Sequence, residues 1–172
     1  MQQTILTLKL LIPFVISFYS LSTNKMGGGN INFTSFAGKK VLIVNTAINT
    51  ADTVQYAKLE LLQQLYKDSL VIIAIPSNDF GNAPMSNAAI KTFVNTRYNN
   101  HYILAAKTNV KAPNKSPLYK WLTRIIKNGM MNSDVKKDFY KYLINKDGIL
   151  TGVFDNTEDP MGATIRAAVE SY

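Results

Sequence analysis

The chain has 172 residues, 47% of them hydrophobic, which is enough for one domain with a sizeable core. It carries 19 Lys and Arg against 11 Asp and Glu, a net charge of +8, yet charged residues make up only 17% of the total against roughly 25% in an average domain. There is no cysteine, which excludes disulfides, thiol nucleophiles and lipid attachment through a cysteine, and His101 is the sole imidazole.

The first elements resemble a targeting segment. Lys9 precedes an uncharged apolar run over residues 10–21 (LLIPFVISFYSL), and no acidic residue occurs before Asp52. Twelve residues of helix span about 18 Å, short of a hydrocarbon core of about 30 Å, and Pro13 weakens the run further as a spanning helix. Ser20 and Ser22 supply small residues where a signal peptidase needs them, so residues 1–22 are expected to be a signal peptide cut after Ser22. An uncleaved anchor over residues 5–21, with Lys9 snorkelling, is the alternative. Residues 23–34 (TNKMGGGNINFT) are expected to be a polar, glycine-rich linker, since no Gly-Lys-Ser/Thr follows the glycine triplet to make a phosphate cradle. The domain proper then covers residues 35–172.

From Lys40 the pattern is α/β. Residues 41–46 (VLIVNT) form a near-continuous apolar run suited to a central strand buried on both faces. Thr53 can cap a helix carrying Tyr56, Leu59, Leu61, Leu62, Leu65 and Tyr66 at helical spacing. Residues 70–75 (LVIIAI) give a second buried strand closed by Pro76, and Ser86-Asn87 opens a helix through Ile90, Phe93 and Val94. Residues 101–106 are a third strand candidate, and Pro117 starts a helix carrying Leu118, Tyr119, Leu122, Ile125 and Ile126. Residues 139–145 and 149–154 read as strands joined across Lys146-Asp147-Gly148, with Phe139 and Tyr140 on opposite faces, and residues 159–169 as a last helix. A βαβ unit followed by ββα is the thioredoxin arrangement, a central mixed sheet flanked by helices.

Four segments carry a more specific resemblance. Residues 38–56 (GKKVLIVNTAINTADTVQY), Ile75-Pro76-Ser77-Asn78 with Phe80-Gly81, residues 116–122 (SPLYKWL), and residues 139–144 with Lys146-Asp147-Gly148 resemble, in order and spacing, the signature stretches of glutathione peroxidases. The resemblance runs from about Phe33 to Val169 and implies a thioredoxin-like fold of the glutathione peroxidase type. In that family a sulfur or selenium nucleophile, a Gln, a Trp and an Asn form the working tetrad. Carried over position by position, the nucleophile falls on Thr50, the Gln on Asp79, the Trp on Lys137 and the Asn on Asp138. The neighbouring aromatic and proline positions hold Asp52 and Val54. A hydroxyl is far less acidic than a thiol, whose ordinary pKa is about 8.5, and its oxygen has no sulfenic state to cycle through. Thiol peroxidase chemistry is therefore expected to be absent.

If the fold holds, Thr50, Asp79, Lys137 and Asp138 are expected to meet where the tetrad did. The pocket could hold a small ligand, with Lys137 for an anion and the two carboxylates for a cation or amine, or it could be drift with Lys137 paired to an Asp at the surface. No cofactor or metal is expected, since an Asp pair without His suits only hard cations weakly. His101 is expected at a strand end away from the pocket, and Met130-Met131 as an apolar plug under the loop over residues 128–135. Ten cations between Lys107 and Lys146 face only Asp134 and Asp138. Spaced singly, they suit a solvated surface; an anionic ligand or anionic membrane surface is the alternative, and nucleic acid is not expected because no such motif accompanies them. The function expected is a degenerate, exported family member with a binding or scaffolding role in the cell envelope. A peroxidase acting in the response to oxidative stress, as family membership implies, is the competing reading.

Overall fold

The computed structural model describes residues 15–171, and the chain joins the core at its first described residues. Phe18 is fully buried, stacked on Phe33 with ring centroids 4.7 Å apart and tilted against Trp121 at 5.3 Å. The Trp121 indole N–H donates to the Ile16 carbonyl at 2.6 Å, and the Tyr19 hydroxyl donates to the Lys146 carbonyl at 2.6 Å. Strand β1 (Ser22–Asn24) pairs antiparallel with β2 (Asn30–Asn32), and the turn between them holds Gly27, Gly28 and Gly29 at positive φ, which side chains resist. The expected linker over residues 23–34 is thus corrected to a hairpin followed by a turn of 3-10 helix, Phe33–Phe36. The expected cut after Ser22 falls inside β1 and would strip Phe18 from the core. The remainder of the expected signal segment, residues 1–14, lies outside the described residues.

Strand β3 (Lys40–Thr46) is the centre of a five-stranded sheet, and residues 41–46 are all fully buried, as the unbroken apolar run requires. A 3-10 turn (Ala51–Val54) leads into α1 (Gln55–Leu65), which returns the chain to β4 (Leu70–Pro76), parallel to β3. Ser86 caps α2 (Asn87–Tyr98), its hydroxyl accepting the Ala89 N–H. The third expected strand shrinks to β5 (Ile103–Leu104), parallel to β4. Ser116 caps α3 (Pro117–Thr123), with Pro117 at its first position. This helix breaks at Arg124, whose backbone is extended, and restarts as α4 (Ile125–Asn128). Strands β6 (Lys141–Ile144) and β7 (Leu150–Phe154) form the expected hairpin, and α5 (Ala163–Glu170) ends the described chain. The sheet order is β5-β4-β3-β6-β7.

Alternation along the strands divides the core into two layers. Leu42, Val44, Ile72, Ala74 and Leu143 face α1, α2 and α5, while Val41, Ile43, Ile73, Ile75, Tyr142 and Ile144 face α3 and the N-terminal segment. Three further expectations need correcting. Leu61 and Leu65 are more than half exposed although they fit the helical period of α1. Ile125 and Ile126 continue the spacing of α3, but the break at Arg124 turns them to solvent, 46% and 68% exposed. Phe139 precedes β6 in the left-handed region at φ 63°, so it does not alternate with Tyr140 along a strand; its ring enters the α1 layer.

Candidate functional site

The C-terminal end of β3 and the turn after it build a shallow depression of about 370 Å³, lined by Thr50, Asp52, Phe80, Asn82, Lys136, Lys137 and Asp138. Thr50 has extended backbone and stands at the N-cap of the 3-10 turn. Its hydroxyl oxygen accepts the Asp52 N–H at 3.3 Å, and its carbonyl accepts the Thr53 hydroxyl at 3.0 Å. Threonine is a favoured capping residue because its oxygen satisfies a donor that the turn itself cannot. Thr50, not Thr53, is therefore the cap that starts this helical segment. An activated threonine needs a base beside it. The single imidazole is elsewhere: His101 is exposed two residues before β5, its Nδ1 2.6 Å from Glu60 Oε1.

Asp138 is the most deeply set of the lining groups, only 3% exposed. One of its carboxylate oxygens accepts the Asn82 side-chain N–H at 2.8 Å, and Oδ1 has no partner. Burial raises its pKa above the ordinary carboxylate value; the Asn82 bond opposes this, and the negative charge of Asp52 adds to it. Asn82 is itself fixed by the chain, its carbonyl accepting the N–H groups of Ile48 at 3.0 Å and Asn49 at 2.9 Å. Lys137 is exposed, its carbonyl accepts Asn45 Nδ2 at 3.0 Å, and no ion pair within 4.0 Å involves it among the described residues. The surface ion pair offered as one expectation for Lys137 is therefore not formed.

Asp79 does not join them. Its Oδ2 accepts the backbone N–H of Val110 at 2.6 Å and of Lys111 at 2.7 Å, which ties it to the loop before α3. The expected convergence of four residues is thus corrected to three, Thr50, Lys137 and Asp138, with Asp79 spent on the loop. The short Asp side chain at this position satisfies two backbone donors that would otherwise lack partners.

Sequence reasoning missed three contributors. Asn82 lies in a polar loop where nothing in the pattern singles it out, and Lys136 is one of many scattered cations. Lys141 is fully buried behind the site, donating to the carbonyls of Phe139 at 2.9 Å and Asp155 at 3.1 Å. Burial lowers its pKa to about 8, and the charges of Asp155, Asp52, Glu158 and Asp159 limit the fall. At this end of the sheet Asn45 Oδ1 and Gln55 Oε1 are also buried without a protein hydrogen-bond partner. Among the described residues no group of three or more His, Cys, Asp or Glu could hold a metal ion.

Comparison with known proteins matches residues 18–123 to the family model described as "Glutathione peroxidase". The chain belongs to the glutathione peroxidase family. It is 38% identical over 136 residues to the hydroperoxy fatty acid reductase Gpx2 of Synechocystis sp., covering 78% of this chain and 84% of that one. It is 33% identical over 147 residues to a glutathione peroxidase of Lactococcus lactis, covering 84% and 93%. To the glutathione peroxidase-like peroxiredoxin gpx1 of Schizosaccharomyces pombe it is 34% identical over 145 residues, covering 83% and 91%. Among solved structures, the apo form of Trgpx superposes with a TM-score of 0.69 at 27% identity over 90% of this chain and 94% of that one. The family match begins at Phe18, the residue whose ring enters the core, so this glutathione peroxidase domain starts well before residue 35.

Proposed function

We propose that this glutathione peroxidase family member does not reduce peroxide by thiol chemistry, and that its remodelled site binds a small polar ligand instead. The observation that carries the reading is Asp138 Oδ1, a buried carboxylate oxygen without a protein partner at the edge of the depression that Thr50 also lines. A buried acceptor left unpaired is costly, of order 1–3 kcal/mol, and a ligand donor that reaches it recovers that cost. Asp52 and Asp138 favour an ammonium or amidinium group, while Lys136 and Lys137 at the rim suit an anionic group on the same ligand. The Thr50 hydroxyl, already used as a cap, contributes hydrogen bonding and no nucleophile. The relatives' printed names, hydroperoxy fatty acid reductase and glutathione peroxidase, favour a peroxide-reducing role, but that chemistry needs a sulfur or selenium this chain lacks.

We also propose that the chain acts outside the cytoplasm, on the strength of the apolar segment after Lys9 and the acid-free stretch before Asp52. Any processing then falls before Ile16, because Ile16 and Phe18 are tied into the core. The ligand reading is tested by thermal unfolding with a panel of small organic ammonium and amidinium ions. A rise in unfolding temperature that Asp138→Asn abolishes supports it; equal responses of wild type and variant across the panel contradict it.

A further inference from the structure

The break between α3 and α4 leaves an apolar cluster at one corner of the molecule. Ile125, Ile126 and Met130 are 46%, 68% and 47% exposed within six residues of chain, so of the expected Met130-Met131 plug only Met131 packs against the core. Cations flank them: Arg124 before, Lys127 between and Lys120 on the last turn of α3, with Asp134 as the neighbouring acid. Asp134 is already engaged by Lys115 at 3.1 Å and Arg124 at 3.7 Å, leaving Lys120 and Lys127 without an ion pair among the described residues.

The N-terminal segment reaches the same corner. Ile16 N–H donates to the Lys127 carbonyl at 3.1 Å, and Val15, itself 48% exposed, packs over Gly129, where a Cβ would come within 3.3 Å of its Cγ2. Ten residues immediately before Val15 (5–14, ILTLKLLIPF) carry one charge, Lys9. The sequence just before Val15 is therefore apolar, and Val15 itself packs at the end of the α4 segment that carries the exposed isoleucines.

We infer that the α4 corner, Val15, Ile125, Ile126 and Met130 with Lys120 and Lys127, is a docking surface for an anionic lipid bilayer. Apolar side chains enter the boundary between headgroups and acyl chains, and lysines beside them reach the headgroup phosphates with their charged ends while their methylenes lie along the apolar surface. No helix of the described residues is long and apolar enough to cross a membrane. The surface is distinct from the depression at Thr50, and the inference does not depend on what that depression binds.

The absence of cysteine allows a single label to be placed without background. The full chain carrying Ile126→Cys is labelled with an environment-sensitive dye, beside a second preparation labelled through Leu61→Cys on α1, which covers the opposite face of the sheet. Both are mixed with phosphatidylglycerol-rich or pure phosphatidylcholine vesicles. The expected result is a blue shift, and quenching by a lipid-borne quencher, for the label at 126 with the anionic vesicles only. Lys120→Gln with Lys127→Gln should weaken that signal roughly thirtyfold, the loss of two lysines near an anionic surface. A label at 126 that stays in water while the chain sediments with vesicles overturns the inference, because the N-terminal segment alone is then the anchor. Equal shifts at 61 and 126 overturn it too, as does a concentration-dependent shift without vesicles, which assigns the corner to a second copy of the chain.

Discussion

Thr50 and Lys141 set much of the local chemistry at this end of the sheet. Thr50 keeps the turn after β3 closed by accepting the Asp52 N–H, a task a threonine oxygen performs well. What it cannot supply is an acidic, polarisable nucleophile. Lys141 is buried with two carbonyls as partners and no carboxylate in hydrogen-bond contact, which leaves its charge poorly compensated. With a folded-state pKa of about 8 against an ordinary 10.5, the unfolded chain binds the extra proton between those values. Stability should therefore rise with pH from about 8 towards 10, by roughly 2 kcal/mol over two units. From about pH 9 the buried tyrosines oppose the trend, since Tyr56, Tyr102, Tyr119 and Tyr142 have raised pKa values in the fold and the unfolded chain releases their protons first. Denaturant midpoints at pH 8 and 9.5 check this, and Lys141→Met should flatten the slope. A midpoint that does not move with pH in the wild type contradicts the assignment.

At the scale of elements, the N-terminal segment behaves as part of the domain. Phe18 fills the layer between Phe33 and Trp121, and truncating it to alanine should cost about 3–5 kcal/mol, as for other buried aromatics. Removing residues 1–22 should cost more, because the Ile16 carbonyl, Phe18 and part of β1 go together. Urea unfolding of the two forms measures this, and equal stability of the truncated and full chains would show the segment to be dispensable. The same elements explain what the sequence disclosed and what it hid. Strands β3 and β4 were legible because burial on both faces writes an unbroken apolar run, and the β6–β7 turn because Asp-Gly marks it. The β1–β2 hairpin was hidden, since strands of three residues, Ser-Thr-Asn and Asn-Ile-Asn, are too short and polar to show alternation. The helical period continued through Ile125 and Ile126, and nothing local marks Arg124 as the break. Burial of Lys141 and the turning of Asp79 towards Val110 and Lys111 are set by segments distant in sequence, beyond the reach of periodicity.

For the whole molecule, the thioredoxin-like fold of the family is kept around a five-stranded sheet, and the chain has no cysteine to serve as a thiol nucleophile. Thr50, Lys137 and Asp138, three of the four positions expected to correspond to the family tetrad, meet around one depression, and the proposed preference for donors and cations rests on the buried Asp138. The apolar and basic corner at α4 adds a second surface on the face of the sheet covered by α3. If both proposals hold, the protein holds a polar ligand near a membrane and does not turn over peroxide. The most direct measurement is peroxide consumption with thiol reductants by the purified chain and by its Thr50→Cys variant, freed of contaminating enzymes and metals. The expected result is a silent wild type and a variant that reacts with peroxide, since a thiol at the helical N-cap regains a nucleophile. Thiol-dependent turnover by the wild type would contradict the proposal at its centre.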